Sequence, residues 1–340
     1  MGLAERPLAL TLGDPAGIGL DTTLLAFAAR RAEPIPPFVF LGDEAVLAGR
    51  AEALGLPVPI ATVQSAEQAA EIFAEALPVL PVAVAGAVLA GEPDPAAVPA
   101  VMQSIEQAVA LVQGGAARAV VTNPVSKVLL YEAGFTFPGH TEYLAALAAG
   151  DGTPPLPVMM LVAGPFKVVP VTIHIPLKDV PGTLTQARVL TTITTTAQDL
   201  RRYFGFVSPQ LAVSGLNPHA GEGGSLGTEE DEIIMPAIEA ARAAGIDVTG
   251  PYPADTLFHA AARQRYDAAI CMYHDQALVP FKTLAFEEGV NVTLGLPFVR
   301  TSPDHGTAFD IAGTGEANPR SLTEALRLAD AMSRTAEDAA

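Results

Sequence analysis

One cysteine in 340 residues, Cys271, excludes an internal disulfide framework and fits a reducing compartment. It sits in the apolar run AAICMY and reads as a small core residue rather than a nucleophile. Positive charge is also scarce: 19 Lys and Arg stand against 37 Asp and Glu, a formal net charge of −18. That balance argues against nucleic acid and against an anionic membrane surface as partners. It leaves room for a small anion, which a few local basic residues decide. The longest apolar run, ALPVLPVAVAGAVLAG from Ala76, contains Pro78 and Pro81 and falls short of the roughly 20 residues a membrane-spanning helix needs. The start MGLAERPLAL lacks the pattern of a signal peptide, so a cytoplasmic location is expected. There is no fixed-period repeat and no low-complexity linker. Only the tail RTAEDAA has a composition that points to disorder. Two chemical signatures are missing as well: G-x-G-x-x-G, the usual dinucleotide fingerprint, and H-E-x-x-H or H-x-x-x-H, the local metal spacings.

Against these absences, half of the chain is apolar, enough for a large core at this length. LALTL (8–12), FVFLG (38–42), PVPIATV, ARAVVT (117–122), VMMLVAG, FKVVPVTIHI, QLAVSGL and YDAAICMY read as strands. Amphipathic stretches between them, such as ARVLTTITTTAQDLRRYFG and SLTEALRLADAMSR, read as helices. This alternation predicts α/β layers with mainly parallel pairing. With no flexible linker, two domains that share a continuous or exchanged sheet, with a cleft between them, are expected. Functional loops should then follow the C-terminal ends of strands.

Several loops have that placement. LALTL exits into GDPAGIG, whose glycines either gather N–H groups around an anion or simply make a tight strand-to-helix turn. ARAVVT exits into NPVSK, with Lys127, and PGHTE places His140 and Thr141 where a loop becomes a helix. His174, His219 and His274 each leave a different strand at its end. Any one of them alone is more often structural. Together, on parallel strands that share an edge, three imidazoles would suit zinc or another late divalent ion with positions open to substrate oxygens. Asp275 and Glu222 are candidate partners behind those ligands. TEEDE, from Thr228, reads mainly as a capped helix start whose acids complement the dipole. Near the C-terminus, Lys282, Asn291, Arg300, Asp304, His305 and Asp310 crowd into a Gly/Pro-rich region. Arg there can grip phosphate or carboxylate with paired donors.

The segments GDPAGIG, PGHTE, HIPL, GLNPHAGEGGSLGTEE, PYPADTLF, MYHDQALVPFK and VNVTLGLPFVRTSPDHGTAFDIAG run from residue 13 to about 313. In that order they resemble the 4-hydroxythreonine-4-phosphate dehydrogenase family of vitamin B6 biosynthesis. The resemblance implies two α/β/α domains around a central cleft, similar to isocitrate and isopropylmalate dehydrogenases. The expected division is 1–125 with 297–340, and 126–296 carrying the metal-binding histidines. It implies NAD (or NADP) and one divalent ion per subunit, zinc, magnesium or cobalt, on His174, His219 and His274. Substrate contacts would be His140, Thr141, Lys282, Asn291 and Arg300. A homodimer that shares active sites and metal ligands between chains is also implied. His305–Pro319 resembles the H-G-[ST]-A-x-D-I-A-G loop of the isopropylmalate dehydrogenases, which assigns cofactor contacts to His305, Gly306, Thr307, Ala308 and Asp310. One departure is Leu20, where the family usually has proline.

The reaction so implied is oxidation of 4-(phosphonooxy)-L-threonine and loss of CO2 to give 3-amino-2-oxopropyl phosphate. The general base would be Lys282, His140 or Asp255. Rival readings are a paralogue acting on 4-phospho-D-threonate or an aromatic dihydrodiol carboxylate, a metal-dependent phosphohydrolase, and a non-catalytic binding protein.

Overall fold

The computed structural model describes residues 6–137 and 139–338. Pro138 of the PGHTE motif and the last two residues of the tail lie outside that range. In chain order the strands are β1 (Leu8–Thr11), β2 (Phe38–Gly42), β3 (Ile60–Thr62), β4 (Leu77–Pro81), β5 (Val120–Val121) and β6 (Val158–Ala163). They continue as β7 (Phe166–Thr172), β8 (Leu211–Ser214), β9 (Val248–Tyr252), β10 (Ala268–Tyr273), β11 (Val290–Leu294) and β12 (Arg300–Pro303). Two compact units result, one of residues up to Pro157 together with Leu296–Asp338, the other Val158–Gly295.

In the first unit the strands lie in the order β3-β4-β2-β1-β5-β12, all parallel. β1 and β2 are buried at every residue. That is why LALT and FVFLG are continuously apolar rather than alternating: a parallel strand covered on both faces has no polar side to show. Phe27 and Phe38 meet Phe73 edge-on, with centroids 5.3 and 5.1 Å apart. Burying each of the fully enclosed rings contributes roughly 2–3 kcal/mol.

Residues 126–157 belong to this unit, not to the second as the sequence suggested. Helix His140–Ala149 packs on helix Val98–Gln113, where the Tyr143 hydroxyl donates to Glu106 at 2.6 Å and Gln113 donates to the Ala148 carbonyl. The tail also differs from expectation. Helix Arg320–Asp338 runs through most of RTAEDAA, with Leu322, Leu326, Ala329 and Met332 buried at helical spacing.

In the second unit the order is β11-β6-β7-β10-β8-β9. Here the expectation of parallel pairing holds only from β7 to β9. VMMLVAG and FKVVPVT form an antiparallel hairpin about Gly164-Pro165, and β11 adds antiparallel to β6. Helix Gln186–Phe204 turns Val189, Ile193, Ala197 and Leu200 inward and is capped by the Thr185 hydroxyl on Arg188 N. Cys271 is fully buried in a cluster with Leu161, Phe166 and Phe281, and burial pushes its thiol up, which agrees with a packing role. Among the described residues no helix is long and apolar enough to cross a membrane.

Candidate metal and substrate sites

The second unit brings three histidine-bearing exits to one sheet edge, because β7, β10 and β8 are adjacent and parallel. His174 follows β7 by two residues with φ 42°, a left-handed conformation. His274 opens helix His274–Ala285 directly after β10. The two rings lie 5.6 Å apart, centroid to centroid. They line a cavity of about 200 Å³ with Thr172, Ile173, Tyr273 and Asp275. Asp275 Oδ1 sits 2.7 Å from His274 Nδ1. An ionised carboxylate can only accept, so with Asp275 ionised the ring proton lies on Nδ1 and Nε2 keeps its lone pair, the tautomer that an Nε2 metal ligand would need.

His219 follows β8 on a different kind of loop. His219, Ala220, Gly221 and Glu222 are all left-handed, at φ 54°, 50°, 78° and 42°. For non-glycine residues this costs on the order of 1 kcal/mol or more each. The acidic run supplies what holds the loop. Glu230, 3% exposed, accepts from Asn217 N at 2.7 Å and from Asn217 Nδ2 at 3.0 Å, and Glu229 accepts from the same amide at 2.7 Å. These two acids therefore act as a clamp, and a π-helical turn, Glu230–Ile234, follows in place of a simple capped helix. Sequence spacing missed this because the clamp joins residues thirteen apart through a folded loop. Within the described residues of one chain, no three His, Cys, Asp or Glu side chains form a metal-holding group. The structure pairs His174 with His274 and leaves His219 outside that pair.

The other predicted residues of this unit are spread. Asp255 lies exposed in the turn Ala254–Thr256, which packs against the turn Pro218–Glu222. Lys282 is eight residues into the helix that His274 opens, about 12 Å along its axis at 1.5 Å per residue. Its ammonium stands 5.2 Å from the Phe286 ring centroid. Asn291 is level with Leu161, which is level with Val168, so it is set back along the sheet from the histidine edge.

In the first unit Arg300 begins β12, is buried, and donates to the Thr122 hydroxyl at 2.6 Å where β5 ends. Burial pulls its guanidinium down to about 10. His140 opens its helix with Nε2 buried and without a hydrogen-bond partner. Burial, then the charges of Arg300 and Lys127, hold His140 well below the usual imidazole value, so it is neutral at physiological pH. Thr141 is the next helical residue. Two cations beside a neutral imidazole concentrate positive charge in an otherwise acidic chain, a setting that would suit an anion. Lys127 was not singled out as a contact from sequence; its position in NPVSK, directly after a strand, was the available signal.

His305, Gly306, Thr307, Ala308 and Asp310 form a turn with Ala308 at φ 40°. GDPAGIG lies under this turn. Four of its N–H groups are bonded within the protein: Asp14 N donates to Pro124 O, Ala16 N to Asp14 Oδ1, Gly17 N to Asp14 O and Ile18 N to Thr307 O. That bonding favours the tight strand-to-helix turn over the anion cradle. Gly17 approaches so closely that a Cβ would meet Thr307 O at 2.8 Å. Buried Arg50 pairs with Asp21 and donates to Gly17 O and Pro15 O at 3.0 Å, while Asp21 accepts from Gly313 N at 2.7 Å. One buried ion pair thus joins both loops.

The fold and these residues describe an α/β protein with a paired-imidazole pocket in one unit and clustered cations beside an imidazole in the other. Residues 33–329 match the family described as pyridoxal phosphate biosynthetic protein PdxA, and the chain belongs to that family. It is 57% identical over 337 residues to 4-hydroxythreonine-4-phosphate dehydrogenase of Bradyrhizobium diazoefficiens, covering 97% of each chain. It is similar to the crystal structure of 4-hydroxythreonine-4-phosphate dehydrogenase from Klebsiella pneumoniae, with TM-score 0.83 and 38% identity over 96% of this chain and 99% of that one. A terephthalate 1,2-cis-dihydrodiol dehydrogenase from Burkholderia xenovorans is more distant, with TM-score 0.64 and 29% identity over 96% and 98%.

Proposed function

We propose that the protein is an NAD-dependent, metal-assisted 4-hydroxythreonine-4-phosphate dehydrogenase. It oxidises 4-(phosphonooxy)-L-threonine, and the resulting β-keto acid loses CO2 to give 3-amino-2-oxopropyl phosphate. The observation that carries this reading is the His174–His274 pair at adjoining strand ends, with Asp275 fixing the His274 tautomer. The donor set fits a divalent ion: imidazoles at an accessible pocket, a carboxylate behind one of them, and His219 as the further ligand. Such an ion supplies Lewis acidity, which eases loss of the hydroxyl proton and accommodates negative charge as CO2 departs. NAD supplies the hydride acceptor, and the turn His305–Asp310 would hold it.

The chain's own residues divide the remaining work. Arg300 and Lys127 attract the phosphate or carboxylate, and His140 and Thr141 orient it. Because burial, and after it two nearby cations, oppose the imidazolium form, His140 is a weak base and suits orientation better than proton removal. That favours Lys282 or Asp255 as proton acceptor. A homodimer with shared sites is supported by three features: His219 stands apart from the His174–His274 pair, Lys282 and Asn291 are set back from the histidine edge, and Ile175 and Leu177 lie exposed beside the pocket.

The test is NADH formation followed by absorbance with the L-substrate, the D-isomers and an aromatic dihydrodiol carboxylate in parallel. Activity with the L-substrate that a chelator removes and metal restores is the expected result. Activity confined to a D-isomer or the dihydrodiol would overturn the substrate assignment. Phosphate release without NADH would overturn the dehydrogenase reading.

A further inference from the structure

Backbone pairing between β7 and β10 ends at Thr172 and Tyr273, and that between β10 and β8 ends at Ile270 and Val213. The β7–β10 side stays tied to its end by a side chain, and on the β8 side, where the ladder stops early, a buried side chain continues it. The Thr172 hydroxyl donates to Met272 O at 2.7 Å. Met272 N donates to Gln276 Oε1 at 2.7 Å, and Gln276 Nε2 donates to Gly215 O at 2.8 Å. Thr172 and Gln276 are 1% and 8% exposed. The Gln276 amide thus replaces a rung of the sheet, linking the strand before His274 to the loop that leads to His219.

Glu230 extends the connection. Its carboxylate holds Asn217, two residues before His219, and fills the space inside the loop. A Cβ at Gly215 would stand 3.0 Å from Glu230 Oε1, and one at Gly221 2.7 Å from Oε2. The left-handed run from His219 to Glu222 folds around this carboxylate.

We propose that Gln276 and Glu230 are positioning residues that lock the His219 loop against the strand ends carrying His174 and His274, and so set the direction in which His219 is presented. The inference rests on the reading of His219 as a metal ligand. Both functions of the amide are required: Oε1 must accept from one backbone and Nε2 must donate to another. A leucine at 276 does neither. A glutamine at 230 keeps the shape but faces the Asn217 amide with a donor.

The test uses the full-length protein with Gln276→Leu, Glu230→Gln and, as reference, His219→Ala. Zinc affinity is measured by competition with a chromophoric chelator, and amide hydrogen exchange is followed across residues 215–222. Both positioning variants are expected to exchange faster in that loop, with β7 and β10 still protected, and to bind zinc about 10–100-fold more weakly. Wild-type exchange in the loop, or faster exchange with wild-type zinc affinity, overturns the proposal. Should Gln276→Leu fail to fold, Glu230→Gln decides the question alone by the same two readouts. Wild-type zinc affinity in His219→Ala would overturn the ligand reading itself, which the loop-exchange result does not depend on.

Discussion

The loops Gly13–Gly19 and Asn217–Gly227 both leave a buried parallel strand and are both rich in glycine, yet they are held in opposite ways. The first bonds the N–H groups of Asp14, Gly17 and Ile18 to the backbone carbonyls of Pro124, Asp14 and Thr307, and Gly17 packs against Thr307. Its rigidity comes from backbone pairing and the buried Arg50–Asp21 pair. The second puts His219, Ala220 and Glu222 in left-handed conformations and is braced by side chains, Glu230 from within and Gln276 from beneath. A loop tied through its backbone to neighbouring loops supports them. A loop braced by side chains can display a strained residue outward, because neighbouring structure offsets the strain. Glycine content alone does not separate the two.

The largest effects should come from the second loop's edge. Replacing His274 or His219 with Ala should remove metal and lower kcat by about 10³-fold or more, the equivalent of several kcal/mol of lost charge stabilisation; metal analysis beside steady-state kinetics checks it. Asp275→Asn leaves the ligand in place but weakens the carboxylate behind His274. Metal affinity should fall about 10–100-fold with thermal stability nearly unchanged.

The first loop should respond differently. In Gly17→Ala the new methyl would press on Thr307 O. KM for NAD should rise about tenfold and stability fall by about 1–3 kcal/mol, with metal content unaffected. A change in metal content instead of NAD binding would reverse the roles assigned to the two loops.

The smallest effect concerns pH. His140 is neutral in the folded protein well below the pH at which the unfolded chain would protonate it. Above about pH 6.5 both states are neutral and the residue makes no pH-dependent contribution. As pH falls below that value the unfolded state takes up the proton first, so stability declines. His140→Asn should therefore lose less stability than the wild type between pH 7 and 5, measured by denaturant unfolding. Parallel curves would contradict the buried neutral imidazole.

Much of the fold was legible because buried strands such as LALTL and FVFLG carry their burial in their composition. The histidine-bearing exits were legible for the same reason: each follows an apolar run. β12 was not, since RTSP lacks the apolar residues that mark a strand; β11 carried the signal in the alternation of VNVTL, which its Gly/Pro-rich surroundings obscured. Antiparallel pairing at β6–β7 did have a signal, since the two residues Gly164 and Pro165 that join the strands are too few for a parallel crossover.

By itself the sequence determined the α/β class, the family, the acidic and cysteine-poor character, and the residue types available for metal, anion and cofactor. Those properties follow from composition and local order. The tertiary structure alone decided that GDPAGIG supports a neighbouring turn, that Glu230 is a buried clamp, that burial, with Arg300 and Lys127 behind it, holds His140 neutral, and that His174 pairs with His274 without His219. Each depends on which distant groups meet and on how much water remains between them, and neither is encoded in the spacing of residues along a chain.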